Sequence, residues 1–276
     1  MRFNLSQSRA SDFLEILRRE RPDPWTQFGR GALATAPLSE AVSRSWSGKS
    51  HTRPDLLEGT TILAVVFKDG VILAGDRQAS AGFQVGERRI EKVYEIDNFS
   101  AIAIAGVAGP CIEMAKIFQV QVEYYEKIEG TSLSLEGKAN YLSNMVKSNL
   151  MMALQGLVVI PIFAGYDHKR KQGRIFKYDV TGGRYDESES YAVGSGGKDA
   201  QTALKKRFRP EMSRDETLKI VVEALWDAAD EDLATGGPDF IREIYPTIKV
   251  IDRSGTSDIP ATEVKDLFTA HIDSLR

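Results

Sequence analysis

Little in this chain of 276 residues is suited to metal or disulfide chemistry. The one cysteine, Cys111, has no partner for an internal disulfide, which fits a reducing compartment. The three histidines, His51, His168 and His271, are scattered without ligand spacing, which argues against a histidine metal site. No run approaches the roughly 18 apolar residues that a bilayer span requires. The net charge of −3 offers no basic excess for a nucleic acid or an acidic membrane surface. The first residues lack the apolar core of a secretory signal, and Asp12, Glu15, Glu20 and Asp23 argue against an organelle transit peptide. The expectation is a cytoplasmic protein without metal or cofactor. With 42% hydrophobic and 27% charged residues, it has the composition of an ordinary globular chain with ample core.

The chain changes character near residue 60. Residues 1–59 carry a net charge of +2, a short helical candidate from Ser11 to Arg19, and then a Pro-, Gly-, Ser-, Thr- and Ala-rich run to about Pro54. Two of the three tryptophans, Trp25 and Trp46, lie there. Residues 60–276 carry −5 and read as compact α+β. The expected division is a leader over 1–59 and a folded domain over 60–276.

Within the domain, Ile62–Phe67 and Val71–Ala74 flank Lys68-Asp69-Gly70, a hairpin signal. Ser100–Ala105 reads as a strand ended by Gly106. Met114, Phe118, Val122 and Tyr125 mark a helix stopping at Gly130. Leu142, Met145, Val146 and Leu150 mark a second, stopping at Gly156. Strands are expected at Leu157–Tyr166 and Arg174–Val180, with a further one ending near Val193. Ser213 and Glu216 form a capping box ahead of the stripe Leu218, Val221, Val222 and Leu225. A strand at Thr247–Ile251 and a helix over Pro260–Leu275 close the chain. Stacked antiparallel sheets flanked by helices, a four-layer α/β/β/α sandwich, satisfy that order.

The chemistry centres on Gly59-Thr60. A hydroxyl is a weak nucleophile unless a base stands beside it, and an α-amine with pKa about 7.7–8.0 is such a base. Cutting after Gly59 would give Thr60 both groups. Gly-Thr-Thr before a strand is ordinary by itself, so the surrounding polar residues decide. Asp76 ends an apolar run and Lys92 stands between Ile90 and Val93. They are either a buried ion pair or two surface charges at strand ends. Gly106 offers a backbone N–H ahead of a helix, as an oxyanion donor or as a plain turn. Ser195 sits in a Gly-rich run, Val193-Gly194-Ser195-Gly196-Gly197, that permits close approach. Asp232 ends a helix where a basic residue suits the dipole better, although Asp227, Asp230, Glu231 and Asp232 could form a solvated or cation-binding face. The run Gly194 to Asp199 lacks the spacing of a phosphate-binding loop.

GTTILAVVFKDGVILAGDRQAS, RRIEKVYEID, AIAIAGVAGP, YAVGSGG and WDAADEDLATGGPD, in that order, resemble the β subunit of the actinobacterial type of bacterial proteasome. The likeness covers essentially all of 60–276, and SRASDFLEILRR is similar to a helical motif of those propeptides. It implies an N-terminal-nucleophile hydrolase fold, a propeptide over 1–59, and self-cleavage between Gly59 and Thr60. It makes Thr60 the nucleophile, Lys92 the cation lowering the hydroxyl's proton affinity, and Asp76 the group orienting Lys92. It gives Gly106 the oxyanion, Ser195 and Asp232 the amine and its water, and Thr235 and Gly236 a supporting loop. Ala79 and Ser80 would pair with substrate backbone. Ala79, Ile90, Ile104, Ala108 and Ile112 would line an uncharged pocket favouring cleavage after hydrophobic residues.

The resemblance further implies a ring, heptameric in the family, stacked against proteasome α subunits. A hexameric ATPase would feed it polypeptide substrates, possibly tagged. Two alternatives remain open at this stage. One is the simpler two-ring bacterial threonine protease, whose chains are shorter and lack such a leader. The other is a non-catalytic scaffold ring subunit, against which the complete set of polar residues speaks.

Overall fold

The computed structural model describes residues 57–81 and 84–275. The Ser11–Arg19 helix, Trp25, Trp46 and most of the expected leader lie outside the described residues.

Two five-stranded antiparallel sheets form the centre. The first has the order β11-β2-β3-β12-β13, from Ser190–Gly194, Thr61–Phe67, Gly70–Gly75, Thr247–Asp252 and Gly255–Asp258. The second runs β10-β9-β8-β7-β6, from Arg184–Glu187, Gln172–Tyr178, Val159–Asp167, Ser100–Gly106 and Val93–Asp97. Period-2 alternation explains why they stack. Ile62 and Ala64 of β2 face Ala101, Ala103 and Ala105 of β7 in one inter-sheet core, together with Val71, Leu73, Ile162 and Ile175. Small residues at β7 let the sheets approach.

The intervening side chains point outward to helices. Leu63, Val65, Ile72 and Val250 pack with Leu204, Val221, Leu225 and Phe268. Those belong to α4 (Gly197–Arg207), α5 (Arg214–Glu231) and α6 (Ala261–Ser274). Ile102, Ile104, Phe163 and Phe176 pack with Phe118, Val122, Leu142 and Val146. Their partners lie on α1 (Ala108–Glu129) and α2 (Leu135–Ser148). The result is the expected four-layer α/β/β/α sandwich, with both sheets buried on both faces.

Local signals place the ends. α1 starts just after Val107 with Pro110 in its first turn, where a missing N–H costs nothing. It stops at Gly130 in the left-handed region, φ 66°. α5 carries the full Ser213–Glu216 capping box.

Three expectations change. The second helix breaks at Asn149 into α2 and the short α3 (Leu150–Leu154). The strand read as ending near Val193 is two strands, β10 and β11, which belong to different sheets. A helix that the sequence reading did not include, α4, opens at the end of the glycine run, and its small Ala200 and Ala203 give a weak apolar stripe.

A third sheet, β1-β4-β5, is small and lies at the cleft: Leu57–Glu58, Ala79–Ala81 and Gln84–Glu87. In it Leu57 pairs with Ala81 and Glu58 with Ser80, antiparallel.

The sheets come close where Gly173 of β9 crosses Gly70 at the β2–β3 turn. A Cβ on Gly173 would overlap the Gly70 carbonyl. Gly70 itself has no positive φ, so it is glycine for packing rather than for turn geometry. Gly173→Ala is therefore expected to force the sheets apart there and cost about 1–3 kcal/mol. Thermal or urea unfolding checks it, and an unchanged midpoint would show that the contact is not tight.

Candidate active site

The β2–β3 hairpin brings the start of one strand beside the end of its neighbour. Ile62 pairs with Gly75, so Thr60, Thr61 and Asp76 converge at one edge of the first sheet. Asp76 N–H donates to the Thr61 carbonyl at 3.0 Å, and Thr61 N–H donates to Asp76 Oδ1 at 2.8 Å. Ile104 N–H donates to the Lys92 carbonyl at 3.0 Å, which ties the approach to β6 against β7.

Of the two readings for Asp76 and Lys92, the buried ion pair is the one observed. Lys92 Nζ lies 2.7 Å from Asp76 Oδ1, with side-chain exposures of 4% and 0%. The ammonium also donates to the carbonyl oxygens of Gly59, at 3.0 Å, and Gln78. All three of its protons are thereby used. The other Asp76 oxygen accepts N–H groups from Gln78 and Gly236, both at 2.9 Å. Burial pulls the Lys92 pKa below its ordinary value, and Asp76 opposes that pull without cancelling it.

Thr60 sits at the centre with its peptide bond to Gly59 intact. Its hydroxyl donates to the Gly59 carbonyl at 2.6 Å, so that carbonyl takes protons from both Thr60 and Lys92. Gly59 adopts φ +95°, and a Cβ there would stand 2.8 Å from the Ala234 carbonyl. Only glycine fits. Upstream, β1 lies along β4, so Ser80 and Ala81 hold an added backbone strand.

On the other side, Thr60 N–H donates to Ser195 Oγ at 3.3 Å, and Ser195 N–H donates to the Thr60 carbonyl at 2.8 Å. Gly194 allows this approach, because its φ is +119° and a Cβ would overlap the Thr60 carbonyl. Asp232 caps α5 and accepts from Thr235 Oγ1 at 2.6 Å and from Ala234 N–H at 3.1 Å, while the Ser195 hydroxyl beside it donates to the Thr60 carbonyl at 3.3 Å. Burial raises the Asp232 pKa, but these donors together with Lys92 outweigh it, and the net direction is down. Asp232 is thus turned inward. Among the described residues no group of three or more His, Cys, Asp or Glu is placed to hold a metal.

Gly106, φ +131°, ends β7 and lines the cleft beside Thr60. The adjoining pocket is lined by Ala79, Ile90, Ile104, Ala108 and Ile112, the five positions expected, and by Glu91, Lys92, Tyr94 and Cys111. Other contributors were not singled out in the sequence. Thr61 Oγ1 lies 2.7 Å from Thr235 Oγ1 and accepts Gly196 N–H at 3.0 Å. Gln78 supplies both a carbonyl to Lys92 and an N–H to Asp76. Gln78 makes both of these contacts through backbone atoms and left no signal.

Removing one half of the buried pair strands the other. Lys92→Met and Asp76→Leu are each expected to cost about 3–5 kcal/mol, and the double variant less than their sum. Chemical unfolding of the three variants measures this. Additive losses would mean that the two side chains are not coupled.

The chain is similar in sequence to known proteins. Residues 57–241 match the family described as "Proteasome subunit". A protein named "Proteasome subunit beta" from Acidimicrobium ferrooxidans is 48% identical over 247 residues, 90% of this chain and 89% of that protein. One of the same name from Jonesia denitrificans is 56% identical over 197 residues, 71% of this chain and 65% of that protein. By its sequence the chain belongs to the proteasome subunit family.

Proposed function

We propose that the chain is a catalytic proteasome β subunit, a threonine endopeptidase that frees its own nucleophile by cutting between Gly59 and Thr60. The observation that carries this reading is the Gly59 carbonyl, held between the Thr60 hydroxyl and the Lys92 ammonium, with Leu57–Glu58 laid as a strand on β4. That is how a peptide substrate would lie, with its backbone rather than its sequence recognised.

In self-cleavage, Thr60 Oγ attacks the Gly59 carbonyl carbon. The C–O bond forms, the C–N bond breaks, and the hydroxyl proton ends on the released amine. Water then hydrolyses the ester and releases residues 1–59. Proximity favours the attack, because nucleophile and carbonyl are adjacent in the chain. Lys92, short of its ordinary proton affinity, supplies positive charge beside the oxygen and a site through which a proton can move.

In turnover the freed Thr60 amine is the general base. Thr60 Oγ attacks the substrate carbonyl, and its proton passes by way of the amine to the leaving group. The resulting ester is hydrolysed by water. Gly106 N–H steadies the oxyanion. Ser195 and Asp232 position the amine and its water, Thr235 and Gly236 brace Asp232 and Asp76, and Ala79–Ser80 pair with the substrate. The pocket of Ala79, Ile90, Ile104, Ala108 and Ile112 gains roughly 1.5–3 kcal/mol by burying a large apolar side chain. Assembly with proteasome α subunits into a ring particle, an ATPase that feeds it and a cytoplasmic location belong to the same reading. So does the division into a propeptide over 1–59 and a catalytic domain over 60–276.

Thr60→Ala is expected to abolish both self-cleavage and peptide hydrolysis while the particle still assembles, since a methyl at a cleft costs little packing. Fluorogenic peptides ending in Leu or Phe, assayed on the assembled particle, provide the measurement. Residual activity within tenfold of the parent would rule out Thr60 as nucleophile.

A further inference from the structure

The hydroxyl of Thr61 is engaged in a way that the reaction described above does not use. Thr61 is fully buried and Thr235 is 5% exposed. Gly196 N–H donates to Thr61 Oγ1 at 3.0 Å, Thr61 Oγ1 lies 2.7 Å from Thr235 Oγ1, and Thr235 Oγ1 lies 2.6 Å from Asp232 Oδ2. Only one direction of donation satisfies this series. The Asp232 carboxylate is ionised, because burial pushes its pKa up but its donors and the Lys92 charge outweigh that push. An ionised carboxylate only accepts. The single proton of Thr235 therefore goes to Asp232, and Thr61 donates to Thr235. The series runs from Gly196 N–H through Thr61 and Thr235 to Asp232, each bond polarising the next. A Cβ on Gly196 would stand 2.8 Å from both hydroxyl oxygens, so glycine is needed there for space.

We propose that Thr61 is a positioning residue: its hydroxyl, acting through Thr235, holds the Asp232 carboxylate in the place from which it serves the Thr60 amine. The proposal rests on the peptidase reading above. Thr235 Oγ1 and Ala234 N–H, which donate to Asp232, lie within three residues of it and move with its loop. The loop's backbone is tied elsewhere, the Leu233 carbonyl to Gln78 Nε2 at 3.1 Å and Gly236 N–H to Asp76 Oδ2 at 2.9 Å. Thr61 adds a tie from the first sheet to the loop's side chains. It is itself fixed, because its backbone exchanges two hydrogen bonds with Asp76. One residue thus sets the Asp232 carboxylate in register with the Lys92–Asp76 pair and with Thr60, its neighbour in the chain. Without the hydroxyl, Thr235 loses its donor and Gly196 N–H is left buried without an acceptor.

The test is steady-state kinetics on the assembled particle, with a fluorogenic peptide that carries Leu before the cut. Thr61→Val keeps the shape and removes the hydroxyl. It should lower kcat about ten- to a hundredfold, as small displacements within a site do. KM should change by less than about twofold, because the hydroxyl touches no substrate. Thr61→Ser, which restores the donor, should return kcat to within about threefold of the parent. Thr61→Val combined with Thr235→Val should be no slower than Thr235→Val alone, since one acts through the other. If Thr61→Val particles do not assemble, Thr61→Ser and Thr61→Ala decide, because both lack the methyl and differ only in the hydroxyl. The proposal falls if Thr61→Val matches the parent in kcat, or if Thr61→Ser and Thr61→Ala are equal. It also falls if the losses at Thr61 and Thr235 multiply. A parent particle that does not cut the peptide, or that is matched by Thr60→Ala, contradicts the peptidase reading instead.

Discussion

The buried pair Lys92–Asp76 is the constraint around which the site is built. Two charges taken out of water cost several kcal/mol each, and only complete hydrogen bonding repays that cost. Here it is complete: three acceptors for the ammonium, four donors for the carboxylate, drawn from Gly59, Thr61, Gln78, Gly236 and the pair itself. Each of those contacts ties down a different segment. The pair therefore fixes the β2 entry, the residues after β3 and the loop beyond α5 in one arrangement. Its price is a lysine whose proton affinity is lowered by burial beside a carbonyl and a hydroxyl. Stability and chemistry draw on the same interaction.

Glycine supplies the second constraint, and at two positions it bears directly on Thr60. Gly59 and Gly194 both adopt positive φ, and in both a side chain would collide with the backbone opposite. They let Thr60 sit between Ala234 on one side and Ser195 on the other, its carbonyl held by Ser195 N–H. Thr60 is thereby held by backbone geometry as well as by charge.

Much of this was legible in the sequence, for physical reasons that differ by residue. The sandwich was legible because β2, β3 and β7 are apolar on both faces while the helices carry one stripe, a combination that only stacked layers bury. Lys92 and Asp76 stood out because charge amid apolar neighbours is expensive. Thr60 was conspicuous through Gly59 before it. The helix opened by the glycine run was not legible, because its buried face is made of Ala200, Ala203 and Leu204 and carries little apolar contrast. The division of Arg184–Glu187 from Ser190–Gly194 was hidden because strand pairing, not local composition, assigns each to its sheet. Gln78 serves Lys92 and Asp76 through backbone groups, which no side-chain pattern announces.

The central claim is that the intact Gly59–Thr60 bond is poised for attack by the Thr60 hydroxyl and that the working enzyme begins at Thr60. The mass of the chain in the active particle tests it most directly. The account predicts a chain of residues 60–276, lighter by residues 1–59 and with Trp226 as its only tryptophan. An active particle in which the chain keeps residues 1–59 would contradict it.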